Sequence, residues 1–320
     1  RKADASSDSN WLYKAMQSMG VIPELCEKEL SRLPQGSFFI DFKFRLRKPY
    51  ISRDDTEFYV IDNPVKKDWV FKVPYIAPSQ WKGCLHAAMV CQLADWWAGL
   101  TYKCEETKKK FVEWRLQLMR LFGNEQGVGV DTEEFESYLD RISEEELADM
   151  YRRGLKQLAP KGRRRGRLMF YPSFFDGLGV EVINPHSRET GAGKWPIYFE
   201  TVPEGACGRF LLLYVPFDSV GKDKKVTIRE VAEDLFSVAR GVVFLLTDFG
   251  FGAKTASGFG LAHPELCSEK GKIVVNVPGK KPKEKCFEVL DDKQDNSLVR
   301  IARKLADELL GEEVVIDSDS

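Results

Sequence analysis

Ser37-Phe-Phe-Ile-Asp-Phe-Lys-Phe-Arg-Leu-Arg47 alternates apolar and polar residues, with Phe38, Ile40, Phe42, Phe44 and Leu46 in one register. A period of two predicts a strand with one buried face, because successive side chains of a strand point to opposite sides. The other face carries Asp41, Lys43, Arg45 and Arg47 and is expected to meet solvent or a polar ligand. On its N-terminal side, Trp11 to Leu33 shows helical spacing broken by Gly20 to Pro23, which predicts two short helices. On its C-terminal side, a loop over Lys48 to Lys72, with room for a short hairpin at Glu57 to Ile61, leads to Val73-Pro-Tyr-Ile-Ala-Pro78. That stretch is extended, since proline pushes its predecessor out of the helical region. Ser79 then stands where an N-cap belongs. Gln80 to Leu100 reads as a helix with Trp81, Cys84, Leu85, Ala88, Met89, Leu93 and Trp96 along one stripe.

Farther along, Glu105 to Phe122 reads as a second helix stopped by Gly123, and Asn124 to Val130 as a glycine-containing turn. Asp131 to Met150 is acidic and helical in pattern. The charge then inverts: Tyr151 to Arg167 holds eight Lys and Arg residues and no Asp or Glu. Strands are predicted at Arg167 to Tyr171, Val180 to Ile183, Pro196 to Val202 and Gly208 to Phe217, and an amphipathic helix at Thr227 to Leu246. A glycine-rich segment over 250–260, a short strand at Leu261 and Ala262, a basic loop at Lys280 to Lys285, a helix at Asn296 to Leu310 and an acidic tail complete the chain. Strand, helix, strand, strand, helix, strand is the order of a ferredoxin-like (RRM-like) βαββαβ core, an α+β fold. The expected division is a helical extension over 1–36, a core over 37–265 with a helical and basic insertion at 105–166, and a C-terminal loop, helix and tail over 266–320.

A chain of 320 residues with 43% hydrophobic and 30% charged residues has enough apolar material for a real core and is neither disordered nor low-complexity. No apolar run reaches the roughly 18 residues of a membrane span, and the first ten residues lack a signal-peptide apolar stretch, so a cytoplasmic chain is expected. None of the seven cysteines stands in a C-x-x-C pair, and the three histidines are far apart. Neither a zinc site, a disulfide framework nor a cofactor is therefore expected. With 48 basic against 49 acidic residues, net charge alone argues against a nucleic-acid partner; the acid-free basic stretch argues for one.

Gly250-Phe-Gly-Ala-Lys-Thr-Ala-Ser-Gly-Phe-Gly260 is not a Walker motif, because its helix precedes it and Lys254-Thr255 lies inside the glycine run. It does resemble the C-terminal glycine-rich loop of the RAMP superfamily of CRISPR effector subunits. Val73-Pro-Tyr-Ile-Ala-Pro-Ser-Gln-Trp-Lys-Gly83 is similar to the proline-flanked Ser-x-x-Lys-Gly approach to that superfamily's first helix, with Ala77-Pro78 in place of Pro-Gly. Leu121-Phe-Gly123 resembles the L-F-G that closes the helical segment behind it. Val182-Ile-Asn-Pro-His-Ser187 and Pro196-Ile-Tyr-Phe-Glu-Thr-Val202 resemble one subgroup, the sixth subunit of the Cmr (type III-B) complex.

The resemblance implies an RNA-binding, non-catalytic subunit of a type III effector complex, with CRISPR guide RNA, target RNA and other RAMP subunits as partners. Its candidate RNA contacts are Ser79 and Lys82 at the helix start and Arg163, Arg164, Arg165 and Arg167 as an electrostatic clamp. Asn184 and His186 are candidates for base or sugar, and Gly252, Lys254, Thr255, Ser257 and Gly258 in the glycine-rich loop for phosphate. Each also has a plainer reading, as a cap, a solvated charge or a tight turn. Two rival functions stay open. Asp54 and Asp55 could hold a metal for target-RNA cleavage, or be ordinary turn residues. Alternatively the chain could be a free-standing CRISPR RNA-processing endoribonuclease.

Overall fold

The computed structural model describes residues 14–54, 61–124, 138–159, 164–184, 195–267, 270–277, 279–291 and 293–316. Its main elements are β1 (Phe38–Leu46), α1 (Pro78–Ala98), α2 (Glu105–Phe122), α3 (Glu145–Leu158), β2 (Leu168–Phe170), β3 (Gly179–Ile183), β4 (Ile197–Thr201), β5 (Cys207–Tyr214), α4 (Lys224–Phe244), β6 (Ala262–Leu266), β7 (Gly271–Val275), β8 (Lys283–Phe287) and α5 (Leu298–Ile316). This is an α+β protein built on a six-stranded antiparallel sheet of order β8–β7–β1–β5–β2. β6 and β7 share one edge of β1: β7 pairs with Phe38 to Asp41, and β6 with Phe44 and Leu46 across a register shift.

β1 is central because both its faces are covered. Phe38, Ile40, Phe42, Phe44 and Leu46 enter the main core, where Trp81 and Leu85 of α1 and Leu235 and Val242 of α4 meet them. Burying large aromatic side chains contributes roughly 2–3 kcal/mol each, which makes this strand the main source of cohesion. The second face departs from the sequence expectation. Phe39 packs with Leu30, Leu211, Leu213 and Val274 in a smaller cluster, so the N-terminal segment covers it. Asp41 accepts two hydrogen bonds of 2.7 Å from Arg209 and is buried rather than solvated.

Several boundaries move for physical reasons. Ala77, not Ser79, is the N-cap of α1, because Pro78 starts the helix and its missing N–H costs nothing there. The predicted basic loop over 280–285 ends in a strand, with Val275 opposite Lys283 and Val274 opposite Glu284. The charge inversion near Tyr151 falls within α3, whose first turn holds Glu145 and Glu146 and whose last turn holds Lys156. Cys207 and Cys267 form a disulfide, which the sequence expectation did not include. The sheet brings them together: Arg45 pairs with Cys207 while Phe44 pairs with Leu266, so residues 60 apart in sequence flank the same end of β1. The hairpin predicted around Glu57 and the glycine turn after Asn124 lie outside the described residues. Among the described residues no helix is long and apolar enough to cross a membrane.

Candidate nucleic-acid interface

α4 runs into a turn over Leu245–Phe249 and then into the glycine-rich loop. Phe251 anchors that loop, fully buried with its ring 4.9 Å from Trp81, 5.6 Å from Tyr50 and 5.8 Å from Phe44 (centroid distances). The main chain closes around it. Phe251 N donates to Gly260 O, Ala253 N to Ile51 O and Gly260 N to Pro49 O, at 2.8–3.0 Å. A Cβ on Gly260 would stand 1.8 Å from the Phe251 carbonyl oxygen, and one on Gly252 would stand 2.5 Å from that of Ile51. Both glycines are therefore required by the protein's own backbone. Gly258 differs: its φ is +82°, yet nothing lies within 4 Å of an added Cβ.

The tip of the loop is exposed. Lys254 adopts the left-handed conformation at φ 60°, and among the described residues only Lys72 shares this property outside glycine. Such a conformation costs a non-glycine residue roughly 1–2 kcal/mol and is typically kept where function requires it. Its ammonium lies 5.1 Å from the centre of the Phe199 ring. Ser257 is exposed beside it and Thr255 is half-buried in the same short turn.

The first turn of α1 adjoins this loop through shared contacts. The Tyr50 hydroxyl donates to Gln80 Oε1 at 3.1 Å, while the Tyr50 ring blocks the space beside Gly252. Burial pushes the Tyr50 hydroxyl up to about 12, so it remains a donor. Burial likewise raises the Cys84 thiol, against a hydrogen bond from the Gly252 backbone. Ser79 is exposed at the second helical position and Lys82 half-buried one turn on, with no acidic residue in that turn to offset the positive end of the helix. His86, a turn further, packs its ring 4.7 Å from that of Phe122. Burial, and then the charge of Lys82, lower it to about 4, so it is neutral at physiological pH. Gly252, Ala253 and Gly260 thus meet the Pro49–Ser52 segment, and Tyr50 of that segment meets Gln80 in the first turn of α1. Tyr50, which links the two, carries no sequence signal of that role.

The arginine run behaves differently. Arg167 is only 2% exposed, and its guanidinium donates to Asp218, Glu230, Asp234, Ser219 and Tyr214. Burial is the largest single influence and opposes its charge, but the hydrogen bonds to Asp218 together with the charges of Tyr214, Asp234 and Asp218 outweigh it and keep the guanidinium protonated. Asp218 answers in kind: burial would raise its carboxyl, and the contacts from Arg167 bring it down to about 2. Arg120 completes the cluster at 2.6 Å from Asp234, which is wholly buried. Arg164 also pairs with Asp218 and donates to Leu158 O. As an exposed clamp, therefore, Arg167 and Arg164 are corrected: the acids of the 217–219 turn and α4 neutralise them. Arg165 is exposed over the Phe217 ring.

The Leu121-Phe-Gly123 motif has a packing reason. Gly123, at φ +79°, passes so close to Gly166 that a Cβ on it would stand 2.5 Å from the Gly166 nitrogen. Asn184 is exposed at the end of β3. Asp54 is half-buried and its N–H donates to Pro64 O at 3.1 Å. Arg163, His186 and Asp55 lie outside the described residues. Among the described residues no three His, Cys, Asp or Glu side chains converge as a metal site.

An antiparallel sheet with two helices packed against it defines an α+β protein. The model of the RAMP superfamily matches residues 36–263, and the chain belongs to that superfamily. Solved structures that match the chain include the following three. One is a chain of the Type III-B Cmr-beta complex bound to cognate target RNA, at 14% identity and TM-score 0.45, covering 86% of this chain and 69% of that one. Another belongs to a CRISPR RNA-guided surveillance complex before nicking, at 11% identity and TM-score 0.38, with 75% and 78% covered. The third is Cmr6 from Pyrococcus furiosus, at 19% identity and TM-score 0.33, with 71% and 99% covered. No curated protein matches significantly.

Proposed function

We propose that this RAMP protein is an RNA-binding structural subunit of a type III CRISPR ribonucleoprotein. It contacts guide RNA with the first turn of α1 and the glycine-rich loop, and caps or extends the complex's protein backbone alongside sister RAMP subunits. The observation that carries this reading is Lys254: an exposed cation held in a costly left-handed conformation at the tip of a loop whose base is fixed by Phe251, Gly252 and Gly260. A positioned cation beside short hydroxyls and a helix N-terminus suits phosphate oxygens. The order of β6, β1, β5 and β2, all antiparallel, with α1 following β1 and α4 following β5, supports a ferredoxin-like βαββαβ core within this sheet. β7 and β8 then lengthen it beyond that unit.

Co-expression with sister subunits and guide RNA tests the proposal. The chain should purify with guide RNA, and the Lys82→Ala, Lys254→Ala double variant should lose RNA from the purified assembly while keeping its own fold. A chain that isolates alone and cleaves CRISPR RNA would instead establish the free endoribonuclease. Asp54→Ala with Asp55→Ala should leave assembly and target cleavage nearly unchanged. Cleavage lost at one site with assembly intact would establish the nuclease reading.

A further inference from the structure

α4 carries a second charged surface that the interface above does not use. Phe236 and Arg240 lie one turn apart on α4, and Arg300, Arg303, Lys304 and Asp307 of α5, with Asp295 just before it, face them across an open cleft of about 600 Å³. That is the size of a small-ligand cleft. Four cations here meet two carboxylates, and one of these, Asp295, is paired with Arg300. Arg240, Arg303 and Lys304 are exposed and form no ion pair among the described residues.

Phe236 organises two of the cations. The Arg303 guanidinium lies 4.6 Å from its ring centre and that of Arg240 lies 5.8 Å away. Contact with one ring restricts both planar forks, whose paired N–H donors match phosphate oxygens. Two like charges, each within about 6 Å of the same ring centre, repel each other, and a bound anion relieves that repulsion. The α5 wall of the cleft lies beyond the residues that the family model matches, while Phe236 and Arg240 lie within them.

We propose that the α4–α5 cleft binds the phosphate backbone of single-stranded RNA, as a contact distinct from the glycine-rich loop. Arg240 lies one turn before the end of α4, and Leu245–Phe249 joins that end to Gly250, so ten residues of chain, at most roughly 35 Å, link the cleft to the glycine-rich loop. A 20-nucleotide single strand is long enough to engage both surfaces. An acidic segment of a protein partner would match the charge but would have no second anion-accepting surface to reach. The inference rests on the RNA-binding reading above, and the experiment separates the two.

The full chain is titrated with a labelled 20-nucleotide single-stranded RNA at several salt concentrations, and in parallel with poly-glutamate of matched charge. Replacing Arg240, Arg303 and Lys304 together by Ala should weaken RNA binding about tenfold at low salt. It should also flatten the slope of log K against log salt by about 2, at roughly 0.7 per lost phosphate contact, with an unchanged melting temperature. An unchanged slope, with binding still lost in the Lys82→Ala, Lys254→Ala variant, would overturn the cleft and leave the loop reading standing. A flattened slope in the triple variant alone would support the cleft and overturn the loop. No RNA binding by the wild-type chain overturns both, and tighter binding of poly-glutamate than of RNA overturns the cleft in favour of an acidic protein partner.

Discussion

The arginine run at 164–167 and the lysine at the tip of the glycine-rich loop read alike in the sequence, as basic residues beside glycines that could grip a polyanion. Their surroundings separate them. Arg167 is enclosed by three carboxylates and a tyrosine hydroxyl, joining β5, α4 and the segment before β2, with Arg120 of α2 beside it. Lys254 is exposed, and its contact is the face of Phe199. Positive charge with acids folded around it is architecture; positive charge left facing outward on a strained, anchored loop is available to a ligand. The difference lies in the distant Asp218, Glu230 and Asp234, which no local window around 164–167 contains.

The comparison breaks most visibly at the buried cluster. Asp234→Ala leaves Arg120, Arg167 and Tyr214 without their shared acceptor and should destabilise the chain by about 3–5 kcal/mol in denaturant unfolding, because an uncompensated buried charge remains. Should the loss be under 1 kcal/mol, the cluster is not structural. Gly260→Ala comes next, at about 2–4 kcal/mol, since its Cβ collides with the Phe251 carbonyl. Gly258→Ala should cost only the roughly 1–2 kcal/mol of a left-handed residue, which a pair of thermal melts will rank.

A third effect is set by pH. His86 is held at about 4 in the folded chain, against a usual 6.5 when unfolded. Between those values the unfolded state takes up the proton and the folded state does not. Stability is therefore complete above pH 6.5 and falls as pH drops toward 4, by at most about 3 kcal/mol at roughly 1.36 kcal/mol per unit. His86→Gln should remove this part of the pH dependence; an unaltered pH profile would show that the ring is solvated.

How much of this was legible beforehand follows the range of the interactions. β1, α1, α2 and α4 are visible because their periodicity is local, and the glycine-rich loop because four of its five positive-φ residues, Gly250, Gly252, Gly258 and Gly260, are glycines. The second face of β1 is solvated at Arg45, as its pattern implies, but buried at Asp41, whose partner Arg209 lies 168 residues away. The disulfide and β8 were missed for the same reason: strand pairing, not local pattern, brings Cys207 to Cys267 and turns a lysine-rich loop into an edge. Ser79 reads as a cap if Pro78 closes the extended stretch; in the fold Pro78 opens the helix and Ala77 caps it.

The smallest effect on stability is also the most direct test of the central claim that the loop tip and the start of α1 face RNA. Binding of single-stranded RNA by the full chain should be measured against salt concentration for the wild type and for the Lys82→Ala, Lys254→Ala variant. Both side chains are peripheral to the core, so melting temperatures should coincide, while the slope of log K against log salt should be shallower in the variant by about 1.4, two contacts at roughly 0.7 each. Identical slopes at identical stability would contradict the account.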